Sequence, residues 1–118
     1  MIFSFSDPPV PTIGLNSYSV PFGGSVEMVC TISSNPAHSV VFWKRIQNGV
    51  ETLIDGSYIA YNQNKYGGGS LGTPSLTVKS ADRNADQAFY ECSATNSIGT
   101  GTSSRTFLTV TGGNYYCM

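Results

Sequence analysis

The sequence predicts an all-β chain in which two antiparallel sheets pack as a sandwich, or one sheet closes into a barrel. Three observations predict it. Apolar and polar residues alternate in many short runs, which is the period of a half-buried strand. Turn signals separate the runs at close intervals: Pro8–Pro9, Phe22–Gly24, Asn35–Pro36, Asn48–Gly49, Asp55–Gly56, Gly67–Gly69, Gly72–Pro74 and Ile98–Gly101. Charged residues make up 11% of the chain, well below the usual quarter, and Ser, Thr, Gly and Asn take their place on turns and solvent faces. With 118 residues there is room for one domain and one modest core.

The elements follow in order. Strands are expected near 10–13 and 18–21, then over 25–33, where Val26, Met28, Cys30 and Ile32 share one side. Over 40–46, Val41 and Trp43 fall on one side and Phe42 and Lys44 on the other. Further strands are expected at 51–55, 58–61 and 64–68, and over 74–80, where Leu76 and Val78 pair up. The segment 81–86 reads as a short turn carrying the chain between sheets. Tyr90, Cys92 and Ala94 share a face over 87–94, and Leu108 and Val110 do so within 102–111. No segment carries a helical period.

Composition removes several functions. A net charge of −1, without any basic run, provides no field for nucleic acid or an anionic membrane. No stretch is long and apolar enough to span a bilayer, so no membrane insertion is expected. The opening MIFSFSDPPVP lacks a basic region and has only a broken apolar run, unlike a signal peptide. No Asn-x-Ser/Thr acceptor for N-glycosylation is present. The cysteines are three, Cys30, Cys92 and Cys117, so one is left over or pairs with another molecule.

Asp86, Ala88, Tyr90 and Cys92 occupy every second position, Trp43 stands thirteen residues after Cys30, and sixty-two residues separate Cys30 from Cys92. This set resembles an immunoglobulin domain over roughly residues 8–111. The resemblance implies an immunoglobulin-like two-sheet antiparallel β-sandwich with one inter-sheet disulfide, Cys30–Cys92. Trp43 would pack on that bridge, and Tyr90 would bury its ring while its hydroxyl bonds to upstream backbone. Asp86 would pair with a cation at the lower edge: Lys65, twenty-one residues earlier in a run resembling the opening of strand D, or Arg45, with Arg83 a third candidate. Ala94, Asn96 and Gly99 resemble the intermediate set of adhesion domains, where the asparagine stabilises the turn between the last two strands. The cysteine spacing leans toward the variable set. Residues 1–7 are expected to be a leader segment and 112–118 a tail or hinge. Cys117 would lie beyond the fold, able to form an intermolecular disulfide.

Catalysis finds little support. His38 is a lone loop histidine without a positioned partner. Gly67–Ser70 precedes no lysine-bearing helix that could hold phosphate. Neither a metal site nor a cofactor is expected, and the chain reads as a non-enzyme. What remains is surface. Alternation turns Phe42, Lys44 and Ile46 outward on one strand, and Phe89, Glu91 and Ser93 outward on another. Lys44 and Glu91 are expected to form a cross-strand pair, with Leu53 beside them. Clustered outward aromatics around a few charges suit the centre of an interface. Relatives associate through this sheet face, formed by strands G, F, C and C′. The resemblance therefore implies an extracellular or cell-surface adhesion and recognition module that binds a protein partner, homophilic or heterophilic. The alternatives are a soluble immune-type receptor domain that binds through loops 33–39, 55–64 and 94–101, and a spacer in a multi-domain array.

Overall fold

The computed structural model describes residues 6–112. Eleven strands and two short helices follow one another: β1 Asp7–Ile13, β2 Ser17–Pro21, β3 Val26–Met28, β4 Cys30–Asn35, β5 Val40–Gln47, β6 Val50–Ile54, α1 Gly56–Tyr61, β7 Tyr66–Gly68, β8 Leu76–Val78, α2 Arg83–Asp86, β9 Ala88–Thr95, β10 Thr100–Thr102 and β11 Thr106–Thr111. They form an all-β sandwich. One layer runs β2–β11–β9–β5–β6, with β10 also paired to β9. The other joins the ladders β1–β4 and β3–β8–β7, because β3 and β4 are one extended run interrupted at Val29. The Val29 amide at that break donates to the Tyr18 hydroxyl.

The chain crosses between layers early. β1 pairs antiparallel with β4, and β2 then pairs parallel with β11. Between them, Thr106 Oγ1 donates to the Leu15 carbonyl and ties the crossover to β11. Inward side chains of both layers meet in one core: Trp43, Tyr90, Met28, Ile54, Leu76 and Leu108 are its largest buried members. Cys30 and Cys92 are disulfide-bonded across it. Trp43 fills the space between the layers, and its indole Nε1 donates to the Pro74 carbonyl at 2.8 Å, so the buried N–H is satisfied.

Two expected segments differ. The strand expected at 58–61 is helix α1. Asp55 acts as its N-cap, accepting the Tyr58 amide at 2.9 Å, and Asn62 Nδ2 closes the other end on the Tyr58 carbonyl. An aspartate followed by small residues is a helix-start signal, and it outweighs the β propensity of Tyr58, Ile59 and Tyr61. None of the helix residues is fully buried. The run 102–111 is split at Ser103, which accepts the Cys92 amide on its hydroxyl and donates its own amide to the Cys92 carbonyl. Residues 83–86 form α2, one turn capped by Asp82.

Candidate functional site

Two regions gather the residues of interest, and they lie on opposite sides of the same strands. The first is the corner beneath the core. Asp86 closes α2 and is fully buried. Its Oδ2 accepts from Lys65 Nζ at 2.7 Å and from the Asp82 amide at 2.8 Å. The Tyr90 hydroxyl, four residues along, donates to the Asp86 carbonyl at 2.6 Å. Lys65 also donates to the Ser80 carbonyl, so its ammonium is held from two sides. A buried carboxylate needs such partners, because desolvation of an unpaired charge costs several kcal/mol.

Arg45 does not reach Asp86. Its Nη1 donates to the Tyr66 hydroxyl at 2.8 Å and its Nη2 reaches Thr52 Oγ1 at 3.4 Å, which joins β5 to the edge of the opposite layer. Burial pushes the Tyr66 phenol up to about 12, against the pull of the Arg45 guanidinium beside it. Burial also raises Tyr90, helped by Tyr66 and Asp86 nearby. Both rings are locked in the neutral form across the physiological range. Arg83 donates from Nε and Nη2 to the Val110 carbonyl, tying α2 to β11.

The second region is the outward face of β5, β6 and β9. Antiparallel register places Phe42 opposite Ser93, Lys44 opposite Glu91, and Ile46 opposite Phe89. Phe89 is 41% exposed and Leu53 49%, and Phe42 is partly exposed between them and the loops. Val40, Phe42 and Leu53 line an open depression of about 390 Å³. The expected Lys44–Glu91 ion pair is replaced by two others. Lys44 Nζ lies 3.7 Å from Glu51 Oε1, and Glu91 Oε2 accepts from Arg105 Nε at 2.9 Å. Glu51 is the diagonal cross-strand neighbour of Lys44, well within reach of a lysine, and the Arg105 guanidinium takes the carboxylate left over. Ile46 points to this face yet is only 7% exposed, enclosed between its neighbours Phe89 and Glu51. The accessible surface is therefore narrower than alternation alone implies.

Sequence reasoning missed Arg105 and Phe107. Arg105 sits over the Phe89 ring, 5.6 Å from its centroid, and Phe107 meets Phe89 edge-on at 4.8 Å. A signal existed in alternation along β11, which turns Phe107 outward beside Phe89. At the upper end Asn96 is a hub. Its Nδ2 donates to the Asp7 and Pro36 carbonyls, and its Oδ1 accepts the Ile98 and Gly99 amides. The start of β1 and the loop after β4 are thereby fastened to the 96–99 turn, which is held tight. Among the described residues no cluster of three or more His, Cys, Asp or Glu side chains could hold a metal, and no helix is long and apolar enough to cross a membrane. Cys117 lies outside the described residues.

Comparisons with known proteins agree with this geometry. The family profile of the immunoglobulin I-set domain matches residues 9–110. A solved structure of tandem immunoglobulin repeats of Dlar is 27% identical, covering 90% of this chain and 50% of that one, with a TM-score of 0.65. The N-terminal two-domain module of the Drosophila receptor protein tyrosine phosphatase DLAR is 29% identical, covering 91% and 48%, with a TM-score of 0.62. A marsupial T cell receptor superposes with a TM-score of 0.70 at 18% identity, covering 93% and 54%, a likeness of fold alone. This chain thus spans about half the length of these structures. A comparison with curated protein sequences finds no match.

Proposed function

Because the chain belongs to the immunoglobulin I-set domain family, an adhesion and recognition type of module, we propose that it binds a protein partner through the outward face of β5, β6 and β9. The observation that supports this reading most is the composition of that face. Phe42 and Leu53 expose apolar surface at an open depression and Phe89 exposes more toward the other end of the face, while the charges beside them are already neutralised in the pairs Lys44–Glu51 and Glu91–Arg105. Apolar anchors ringed by satisfied polar groups cost little to desolvate and gain from burial, which is how the centre of an interface works. The fold family and its oxidised cysteine pair suit an extracellular or cell-surface setting.

A second copy of the chain is one partner this face would fit, since paired opposite charges are self-complementary under two-fold symmetry. Sedimentation of the Cys117→Ser chain over a wide concentration range tests this directly, with cross-linking through that thiol removed. Reversible dimerisation that Phe42→Glu or Phe89→Glu abolishes is the expected outcome for self-association. A monomer at every concentration turns the test to heterophilic binding screens with the same two variants. Retention of binding by both variants would sink the proposal.

A further inference from the structure

The layer that carries the proposed face has an open edge. β6 is its last strand and pairs with β5 alone. The turn Asn48–Gly49, with positive φ at both residues, closes on the pair Gln47–Val50. In such a hairpin the flanking pair exchanges both backbone bonds, so Val50, Thr52 and Ile54 turn their N–H and C=O toward β5. Glu51 and Leu53 turn theirs away, and no other described segment bonds them. α1 leaves this stretch clear. The chain departs from β6 through Asp55–Ser57, beside Val40 and Val41 and beyond Leu53. From there Tyr58 and Ile59 turn in to pack on the core, Tyr58 against Tyr66 and Ile59 beside Trp43 and Gly69.

Other strand edges are blunted. Pro11 stands where β1 faces away from β4, and it has no amide to offer. On β7 the outward Tyr66 amide already donates to the Asn62 carbonyl. β6 has neither device. Its charge, Glu51, is paired with Lys44, and Val50 and Leu53 are 64% and 49% exposed. An edge of this kind is a template for another strand.

The pattern of β6 fits a second copy of itself. Consider antiparallel pairing about a two-fold axis. With Glu51 opposite Glu51, carboxylates face each other and Leu53 falls opposite the turn residue Gly49. With Leu53 opposite Leu53, Glu51 faces Asp55. With the axis at Thr52, Glu51 of each copy falls opposite Leu53 of the other. That register engages every outward N–H and C=O of Glu51 and Leu53 and sets no like charges directly opposite. Thr52 then meets Thr52 at the close, non-hydrogen-bonded spacing, a favourable cross-strand pair.

We propose that two copies of this chain pair antiparallel along β6, with the two-fold axis at Thr52, and so join their layers into one continuous sheet. Backbone bonds fix the register, and Leu53 of each copy lies over the Glu51 stem of the other. The proposal does not rest on the β5–β9 face. Edge pairing leaves Phe42 and Phe89 open and sets the two faces side by side on one side of the sheet, where a doubled site gains avidity.

The experiment is oxidative cross-linking of the Cys117→Ser chain carrying Thr52→Cys. The axis brings the two introduced thiols within disulfide reach, and a covalent dimer is expected. Leu53→Cys, whose two copies stand diagonal to one another, should cross-link only slowly. Glu51→Pro removes an outward amide that β5 does not use, and should abolish the Thr52→Cys cross-link while the Trp43 indole resonance stays in place. Leu53→Glu leaves the backbone untouched, sets carboxylates opposite one another on both sides of the axis, and should slow the cross-link about tenfold. Phe42→Glu and Phe89→Glu should leave the rate unchanged, so this test and that of the face fail separately. No covalent dimer from Thr52→Cys, equal rates for Thr52→Cys and Leu53→Cys, or an unchanged rate with Leu53→Glu would overturn the proposal.

Discussion

Tyr90 and Phe89 are consecutive residues of β9, yet one is fully buried and the other 41% exposed. Trp43 and Phe42 repeat the contrast on β5. Inward, the strands deliver side chains into a buried corner in which the Tyr90 hydroxyl donates to the Asp86 backbone carbonyl and Lys65 to the Asp86 carboxylate. Outward, β9 delivers the Phe89 ring, which leans on Phe107 and Arg105, and β5 delivers Phe42, and both keep part of their surface in water. The difference teaches that stability and recognition can be separated by a single residue step, because the pleat sends neighbours to opposite faces. Substitutions inward should act on folding, and substitutions outward on binding.

The sharpest break is expected at the bridge. Cys92→Ser opens a sixty-two-residue loop and should cost about 4 kcal/mol in denaturant unfolding, by the chain-entropy account. Asp86→Ala should cost about 3 kcal/mol, since it strands the Lys65 ammonium and the Asp82 amide. Lys65→Met in the same background should recover part of that loss, and no recovery would show that the pair is not the source. The tyrosines add a pH signature. Folded Tyr66 titrates near 12 against about 10 when unfolded, so the folded state holds a proton that the unfolded state releases. Its contribution is complete below pH 10 and falls by about 1.4 kcal/mol per unit as pH rises from there toward 12. Alkaline denaturation of Tyr66→Phe should show a correspondingly shallower slope. Asn96→Ala should cost about 2 kcal/mol by leaving the Asp7 and Pro36 carbonyls and two turn amides without their partner. Smallest in stability is Phe89→Glu, at about 1 kcal/mol from the lost ring contact, while partner binding is lost. A large fall in thermal midpoint for Phe89→Glu would erase the contrast between the two faces.

The strands of the central layer were legible because alternation is unambiguous where one face is core and the other is not. Burial alternates along residues 40–44 of β5 and 88–92 of β9. The same signal misled at 58–61, where Tyr58 and Tyr61 suit a strand in isolation but the capped turn begun by Asp55 finds no strand to pair with. On the outward face, register correctly set Lys44 opposite Glu91. Their charges went elsewhere, because long side chains choose among diagonal neighbours and Arg105 arrives from a segment that the spacing of β5 and β9 does not announce. Ile46 was read as exposed from its parity, and parity says nothing of what leans over a residue from the adjacent strands.

The two-residue period was therefore sufficient for an all-β chain and for the inward side chains of its central strands, while the sandwich and its cysteine pair were legible through the resemblance that Cys30, Trp43, Tyr90 and Cys92 bear to an immunoglobulin domain. The assembled fold settled what depends on neighbours distant in the chain. Asp86 meets Lys65 while Arg45 turns to Tyr66. Phe89 rests on Phe107. Lys79 donates to the Gln63 carbonyl, sixteen residues earlier. Such contacts are made through space, across strands whose separation in sequence carries no record of which rotamer will reach which partner.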